Sequence, residues 1–228
     1  MTQLPVLPPP FRVREKLLSQ GAENLSDAEL LAVFISSGSR KKSCMQLALD
    51  LIKQLGDLRA ILNAEPQAFN QVAGLGMVRY LQLQAAREIC RRSDFISLQK
   101  ETTLTNSQQT YAYLKRQLRD RKNETFVALF LDSQHRVLAY EELFSGTINA
   151  ANVYPRPIID KIFKLNAAAV ILAHNHPSGI VEASTADLAV TKRLSHALEL
   201  IDVRLLDHLI IGDNEVYSIM SNAKWPCN

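Results

Sequence analysis

Cysteine is scarce in this chain. Cys44, Cys90 and Cys227 are three in 228 residues, odd in number, far apart and without C-x-x-C spacing. That argues against a disulfide framework and for free thiols in a reducing cytoplasm. No apolar run approaches membrane-spanning length. The start, MTQLPVLPPPFRVREK, has no signal-peptide apolar region and reads as a proline-rich extended arm. The expected location is cytoplasmic, with no membrane partner. There is no internal repeat and no low-complexity tract beyond the proline-rich start. Charge of neither sign dominates: the net charge is +3 and the pI about 8.8, which permits nucleic-acid contact without demanding it. What is present is hydrophobic, at 47%, so a chain of this length buries a real core as one large domain or two small ones.

The first part reads as helical. Ser26-Asp27-Ala28-Glu29 is a capping box, with Leu30, Leu31, Phe34 and Ile35 as the apolar stripe and Gly38 as the stop. Ser43 to Gln46 repeats the device, Leu47, Leu51 and Leu55 follow, and Gly56 closes. Asp57 and Pro66 open shorter segments. Val72-Ala73-Gly74-Leu75-Gly76-Met77 then gives Gly-Leu-Gly between two helical segments. Such a turn brings amides to a helix N-terminus, where a phosphate can sit, and Arg79 and Arg87 follow on the second helix. This is similar to a helix-hairpin-helix, with Gly74, Gly76 and Arg79 as candidate DNA-phosphate contacts. A packing corner built on small residues is the other reading. Periodicity is lost over residues 92–103, so a helical domain is expected over 1–96 and a second domain over 102–224.

The second part mixes strands and helices, which makes the fold class α+β. Thr105-Asn106-Ser107-Gln108 is a capping box, opening a helix to Leu118 with Tyr111 and Leu114 inward. The basic run over 115–122 reads as a solvated helix end. Residues 125–131 are a buried strand, 137–144 its hairpin partner, 155–165 a helix started by Pro155, 167–173 another buried strand. A long helix covers 184–201, with Leu188, Val190, Leu194 and Leu198 available for packing. Strands follow at 203–211 and 216–219, and the tail from Ser221 is expected to be loose.

The strand at 167–173 runs into His174-Asn175-His176-Pro177-Ser178-Gly179, with Ser184 and Asp187 beyond. Strand side chains alternate with period two, so His174 and His176 share a face. Two imidazoles there are most of a catalytic zinc site, Asp187 offers a third ligand, and one position stays open for water. A structural zinc would normally be closed by four ligands, usually including cysteine, and none is near in sequence. The H-x-E and P-C-x-x-C pattern of zinc deaminases and the H-E-x-x-H helix of common metalloproteases are both missing. A hydrolytic site also needs a general base, and Glu124, Glu141 and Glu142 lie upstream. Composition and period do not choose among them.

The pattern His174-x-His176, Ser184, Asp187 resembles the JAMM motif of MPN-type zinc metalloproteases. The stretches ETFVALFLDSQHRVLAYEELFSGTIN, AAAVILAHNHPSG and VRLLDHLIIG resemble the RadC family, long labelled DNA-repair proteins, and the N-terminal helices match its helical domain. The resemblance implies a JAMM/MPN fold with a mixed sheet and flanking helices. It implies one zinc ion per chain held by His174, His176 and Asp187, Glu124 as the catalytic acid–base, and Ser184 as an oxyanion stabiliser. The implied function is a zinc metallopeptidase or isopeptidase, its metal-bound water attacking an amide carbonyl of a peptide or isopeptide substrate. The alternative is a DNA-binding, repair-associated protein. Two departures stand out: Pro155-Arg156-Pro157 where the family usually reads Pro-Arg-Glu, and Gly179-Ile180-Val181 where it often has Gly-Asp-Pro.

Overall fold

The computed structural model describes residues 9–100, 107–146 and 153–226. The chain divides into two compact units, Met1–Cys90 and Arg91–Asn228. Thr105 and Asn106 of the expected cap, residues 1–8 of the expected arm and Cys227 lie outside the described residues, as do the side chains of Ser107 and Gln108. No described helix is long and apolar enough to cross a membrane.

The first unit is helical. It holds α1 (Pro9–Gln20), α2 (Asp27–Ile35), α3 (Cys44–Leu55), α4 (Leu58–Leu62), α5 (Pro66–Asn70) and the start of α6 (Met77–Lys100). Ser26 and Ser43 cap α2 and α3 with complete capping boxes, as their S-x-x-E and S-x-x-Q spacings predict. Asp57 caps α4. Three expectations are corrected. From Pro9 onward the expected arm is helical, because proline is tolerated in a first helical turn. α2 stops at Ile35 with Ser36 at φ 65°, before Gly38. α6 continues through the aperiodic stretch to Lys100. Among the described residues there, Phe95 and Leu98 alone face a core, so a polar run gives no stripe to read. The core of this unit gathers Leu31, Leu47, Leu51, Ile61, Phe69 and Leu83.

The second unit is a mixed sheet between helices. Its elements are α7 (Ser107–Leu118), β1 (Thr125–Leu131), β2 (Val137–Ser145), α8 (Pro155–Leu165), β3 (Ala169–Asn175), α9 (Thr185–Glu199), β4 (Arg204–Ile211), β5 (Glu215–Ser218) and β6 (Ala223–Pro226). The six strands lie in the order β2-β1-β3-β4-β5-β6. β3 and β4 are parallel, and the other pairs are antiparallel. The tail expected to be loose instead forms β6, with Trp225 against Tyr111 at 4.9 Å between ring centroids. Asn222, at φ 53°, makes the turn that the short segment gives little sign of.

Period two assigns the faces of the sheet. Val127, Leu129, Ile171 and Ala173 pack with Leu114 and Leu118 of α7. Phe126, Ala128, Val170 and Leu172 pack on the other face with Ile158 and Ile162 of α8 and Val190, Leu194 and Leu198 of α9. β1 and β3 are buried on both faces throughout, which is why they read as continuous apolar runs. Leu188 is exposed, against its expected packing role. His174, at an even position of β3, falls on the face covered by α8 and α9. Asn175 falls on the α7 face.

Candidate metal centre

β3 ends inside the motif. His174 pairs across to Phe126 of β1 and Ile210 of β4, and the His176 amide extends the pairing to the Ile211 carbonyl at 3.1 Å. The strand therefore holds straight through both histidines, and they share a face as their spacing requires. Gly179 then turns the chain at φ +78°, its amide donating to the His176 carbonyl. The turn is pinned from β4: a Cβ on Gly212 would stand 2.4 Å from the Gly179 carbonyl oxygen, so only glycine fits there. Ser184 starts α9 with a complete capping box whose third helical residue is Asp187.

The ligand atoms converge. His174 Nε2 lies 3.1 Å from His176 Nε2 and 3.2 Å from Asp187 Oδ1. His176 Nε2 lies 3.6 Å from Asp187 Oδ2 and 3.8 Å from Glu124 Oε1. One donor atom from each of Glu124, His174, His176 and Asp187 lies within 4.8 Å of all the others. His174 and Asp187 are buried, and His176 and Glu124 are half-buried at the rim. His176 Nδ1 donates to the Ile180 carbonyl at 2.8 Å, which leaves its Nε2 lone pair directed at the cluster. Two imidazole nitrogens around a tetrahedral zinc, each at ~2.0–2.1 Å, would stand about 3.3 Å apart. The observed spacing fits a divalent cation, and so does the donor chemistry of nitrogen with carboxylate oxygen.

Electrostatics agree. Burial alone would raise the Asp187 carboxyl, but the His174 and His176 rings against it, with the Ser184 hydroxyl, outweigh that and hold it well below the usual carboxylate range. His176 is held above its ordinary value, first by the Asp187 carboxylate beside it, against the opposing effect of burial. An uncompensated carboxylate at that depth is costly, and positive charge drawn to it is the response expected.

The candidate bases separate. Glu141 pairs with Lys161 and Glu142 with Arg121, while Glu124 alone of the three joins the His–Asp cluster. Asn175, between the two histidines but on the opposite face, explains how Glu124 is held. Its Oδ1 accepts from the Thr125 amide at 2.8 Å, and its Nδ2 donates to the Arg121 and Asn123 carbonyls. The segment carrying Glu124 is thereby fastened to the strand carrying the ligands. Sequence reasoning passed over Asn175, although period two puts it on the far face and a buried amide there needs partners.

Ser184, for which the resemblance implies an oxyanion role, lies against Asp187. Its hydroxyl donates to Asp187 Oδ2 at 2.6 Å and accepts from the Asp187 amide at 3.1 Å. The single hydroxyl proton is thus committed to a ligand carboxylate, and the serine holds Asp187 in place. Arg79, the candidate phosphate contact, is engaged within its own unit. Its Nε donates to the Ile35 carbonyl, Nη1 to the Gly74 carbonyl and Nη2 to the Ser37 carbonyl and hydroxyl. It ties the end of α2 to the Gly-Leu-Gly turn rather than reaching outward to phosphate. Gly74 itself is at φ +101°, with Leu47 and Ser39 crowding its missing side chain, whereas nothing lies near the Cβ position of Gly76.

Comparison with known proteins follows the same division. Residues 104–225 match a family described as the RadC-like JAB domain, and residues 6–81 match one described as UPF0758 N-terminal. The chain is 68% identical over 216 residues to a UPF0758 protein of Legionella pneumophila (strain Lens), covering 95% of each. It is 50% identical over 212 residues to one of Aliivibrio fischeri (strain MJ11), covering 93% of this chain and 95% of that one. A UPF0758 protein of Cellvibrio japonicus (strain Ueda107) is 50% identical over 208 residues, covering 91% and 93%.

Proposed function

This chain belongs to the RadC family of UPF0758 proteins, and from that premise we propose that it is a zinc-dependent hydrolase cutting an amide bond of peptide or isopeptide type. The observation that carries the reading is the convergence of Glu124, His174, His176 and Asp187 within 4.8 Å. His174, His176 and Asp187 would hold the ion, the usual three-ligand set of a catalytic zinc. When bound, zinc supplies Lewis acidity, making water a nucleophile near neutral pH and polarising the carbonyl.

The chain's own residues do the rest. Glu124, at the rim and anchored through its neighbours Asn123 and Thr125, takes the proton from the attacking water and returns it to the leaving amine. Asp187 keeps one carboxylate oxygen for the ion because Ser184 engages the other. Burial of His174 and Asp187 keeps bulk water off that side of the site, so the substrate approaches from the side of His176 and Glu124.

The test pairs zinc content with cleavage of a panel of peptide and isopeptide-linked fusions, for wild type and Glu124→Gln. Glutamine keeps the shape but cannot accept a proton. A positioned acid–base is worth ~10²–10⁴ in rate, so the variant should keep its zinc and lose most cleavage. A variant that loses zinc makes Glu124 a ligand. A variant that keeps full activity removes it as the base. A wild type that takes up no zinc sinks the reading.

A second reading is DNA contact by the helical unit, and one observation favours it. The first turn of α6 leaves the Met77 and Val78 amides without intrahelical acceptors, beside the open position of Gly76. Binding of that kind is blind to sequence and falls steeply with salt. A fluorescence titration of the full chain with duplex DNA at low salt, compared with Gly76→Val, tests it. No binding at low salt leaves the turn as a packing corner.

A further inference from the structure

His208, on β4, and Thr191, on α9, are fully or nearly fully buried polar residues that the chemistry above does not use. They are joined to the metal centre in an unbroken line. The Thr191 hydroxyl lies 2.6 Å from the Asp187 carbonyl oxygen and 2.6 Å from His208 Nδ1. His208 Nε2 lies 2.9 Å from His174 Nδ1. The line starts on the backbone of one candidate ligand and ends on the ring of another. β4 thereby links the ligand of α9 to the ligand of β3.

Proton counting gives the line one direction. A carbonyl only accepts, so the one hydroxyl proton of Thr191 goes to Asp187. The hydroxyl oxygen must then accept from His208, which places the His208 proton on Nδ1. His208 Nε2 is left bare and accepts from His174 Nδ1–H. His174 in turn is left with a bare Nε2, the atom that faces His176 and Asp187. Each tautomer is set by the one before it.

We propose that Thr191 and His208 are positioning residues of the metal centre, a relay that fixes His174 in the tautomer presenting its Nε2 lone pair to a divalent cation. The proposal rests on the metal-centre reading and adds to it how the site is prepared before the ion arrives. Metal-binding histidines generally hand their other ring N–H to an oriented acceptor. Here the acceptor is a second imidazole, which is ambidextrous and could equally donate. Thr191 removes that ambiguity. Without its hydroxyl, the His208 Nδ1–H would be a buried donor with no acceptor. The favoured arrangement then moves that proton to Nε2, turns the His174 bond around, and puts a proton on His174 Nε2. The cation would have to displace it.

The experiment uses the full chain and Zn²⁺ alone as the probe, in competition with a chelating dye, for wild type, Thr191→Val and Thr191→Ser. Valine has the shape of threonine, and neither substitution replaces a ligand. Outer-shell partners of metal-binding histidines are typically worth roughly 10–100-fold in affinity, so Thr191→Val should bind zinc about that much more weakly. Thr191→Ser restores the hydroxyl and should restore most of the affinity. Thermal melts of the metal-free proteins separate this from loss of fold. A Thr191→Val affinity within threefold of wild type overturns the proposal. So does a Thr191→Ser variant as weak as the valine. Nitrogen-15 NMR of the imidazoles reads the tautomer directly: a His208 proton on Nδ1 is expected, and one on Nε2 overturns the relay. A wild type that binds no zinc shows itself before any variant is compared, and it removes the metal-centre reading instead.

Discussion

Replacing Asn175 by leucine is the sharpest perturbation of this site that leaves every candidate ligand in place. The side chain is 1% exposed and makes hydrogen bonds of 2.8, 3.1 and 3.3 Å to Thr125, Arg121 and Asn123. Arg121 and Asn123 are exposed, so water can take over their carbonyls. The Thr125 amide cannot be rescued that way, because Thr125 is 2% exposed. Leaving it unpaired costs about 1–3 kcal/mol. At the ~2–4 °C per kcal/mol of a chain of this size, the melting temperature should fall by roughly 2–12 °C. The functional effect follows from position. Glu124 lies between Asn123 and Thr125, so it loses its anchor on both sides, whereas His174 and His176 project from the other face of β3. Zinc content should therefore stay near wild type while hydrolysis falls as it does for Glu124→Gln. Asn175→Asp is the control: it keeps the acceptor for Thr125 but turns a donor facing two carbonyls into an acceptor. Calorimetric melts, elemental analysis and the cleavage panel read all three quantities. A leucine variant that melts within 1 °C of wild type, or that sheds its zinc, refutes the assignment of Asn175 to the Glu124 side of the strand.

Three further outcomes are expected. Ser184→Ala should lower stability by about 1 kcal/mol through the lost helix cap and weaken zinc uptake with it; reduced cleavage with unchanged stability and zinc affinity would return Ser184 to the oxyanion. Arg79→Met removes the tie between α2 and the Gly-Leu-Gly turn, so a urea melt of the helical unit should shift by about 1 kcal/mol; a shift in DNA affinity without one in stability contradicts the assignment. Glu29, hydrogen-bonded first by Lys16 and then by the Ser26 amide, has its carboxyl lowered from 4.5 to about 2. Its depressed value adds stability that is complete above pH 4.5 and lost as pH falls toward 2. The melting difference between wild type and Glu29→Gln should therefore shrink through that window, and a difference independent of pH counts against the pairing.

Much of the fold was legible because local chemistry and burial point the same way. The caps at Ser26, Ser43 and Ser184 lie where S-x-x-E, S-x-x-Q and S-x-x-D spacing puts them. β1 is bounded at Thr125 and Leu131 because its run is buried on both faces. What was not legible depends on distant partners. β6 exists because β5 offers it an edge and Tyr111 offers its ring to Trp225. The end of α6 has only Phe95 and Leu98 to mark it. The two candidate histidine ligands, at the end of β3 and just past it, were legible from strand period alone, but choosing Glu124 over Glu141 and Glu142 took the ion pairs those two make. The roles of Asn175 and His208 were not legible, because their partners lie 50 and 34 positions away in the chain.

The capping box of α9 shows why a structural and a chemical reading of one motif need not compete. Asp187 is the third residue of the helix, the place from which a carboxylate reaches back to the N-cap amide. Its Oδ2 does so, taking the Ser184 amide at 2.7 Å and the hydroxyl at 2.6 Å. Its Oδ1 is left on the other side, 3.2 Å from His174 Nε2. A helix start is one of the few local structures that fixes both oxygens of a carboxylate from a four-residue stretch of sequence. The same geometry also turns α9 so that Thr191, one turn on, returns its hydroxyl to the Asp187 carbonyl. In a site assembled this way each orienting contact is also a contact that begins or holds the helix. Weakening the cap should therefore loosen the metal in proportion, which is a coupling that an independent ligand on a loop would not show.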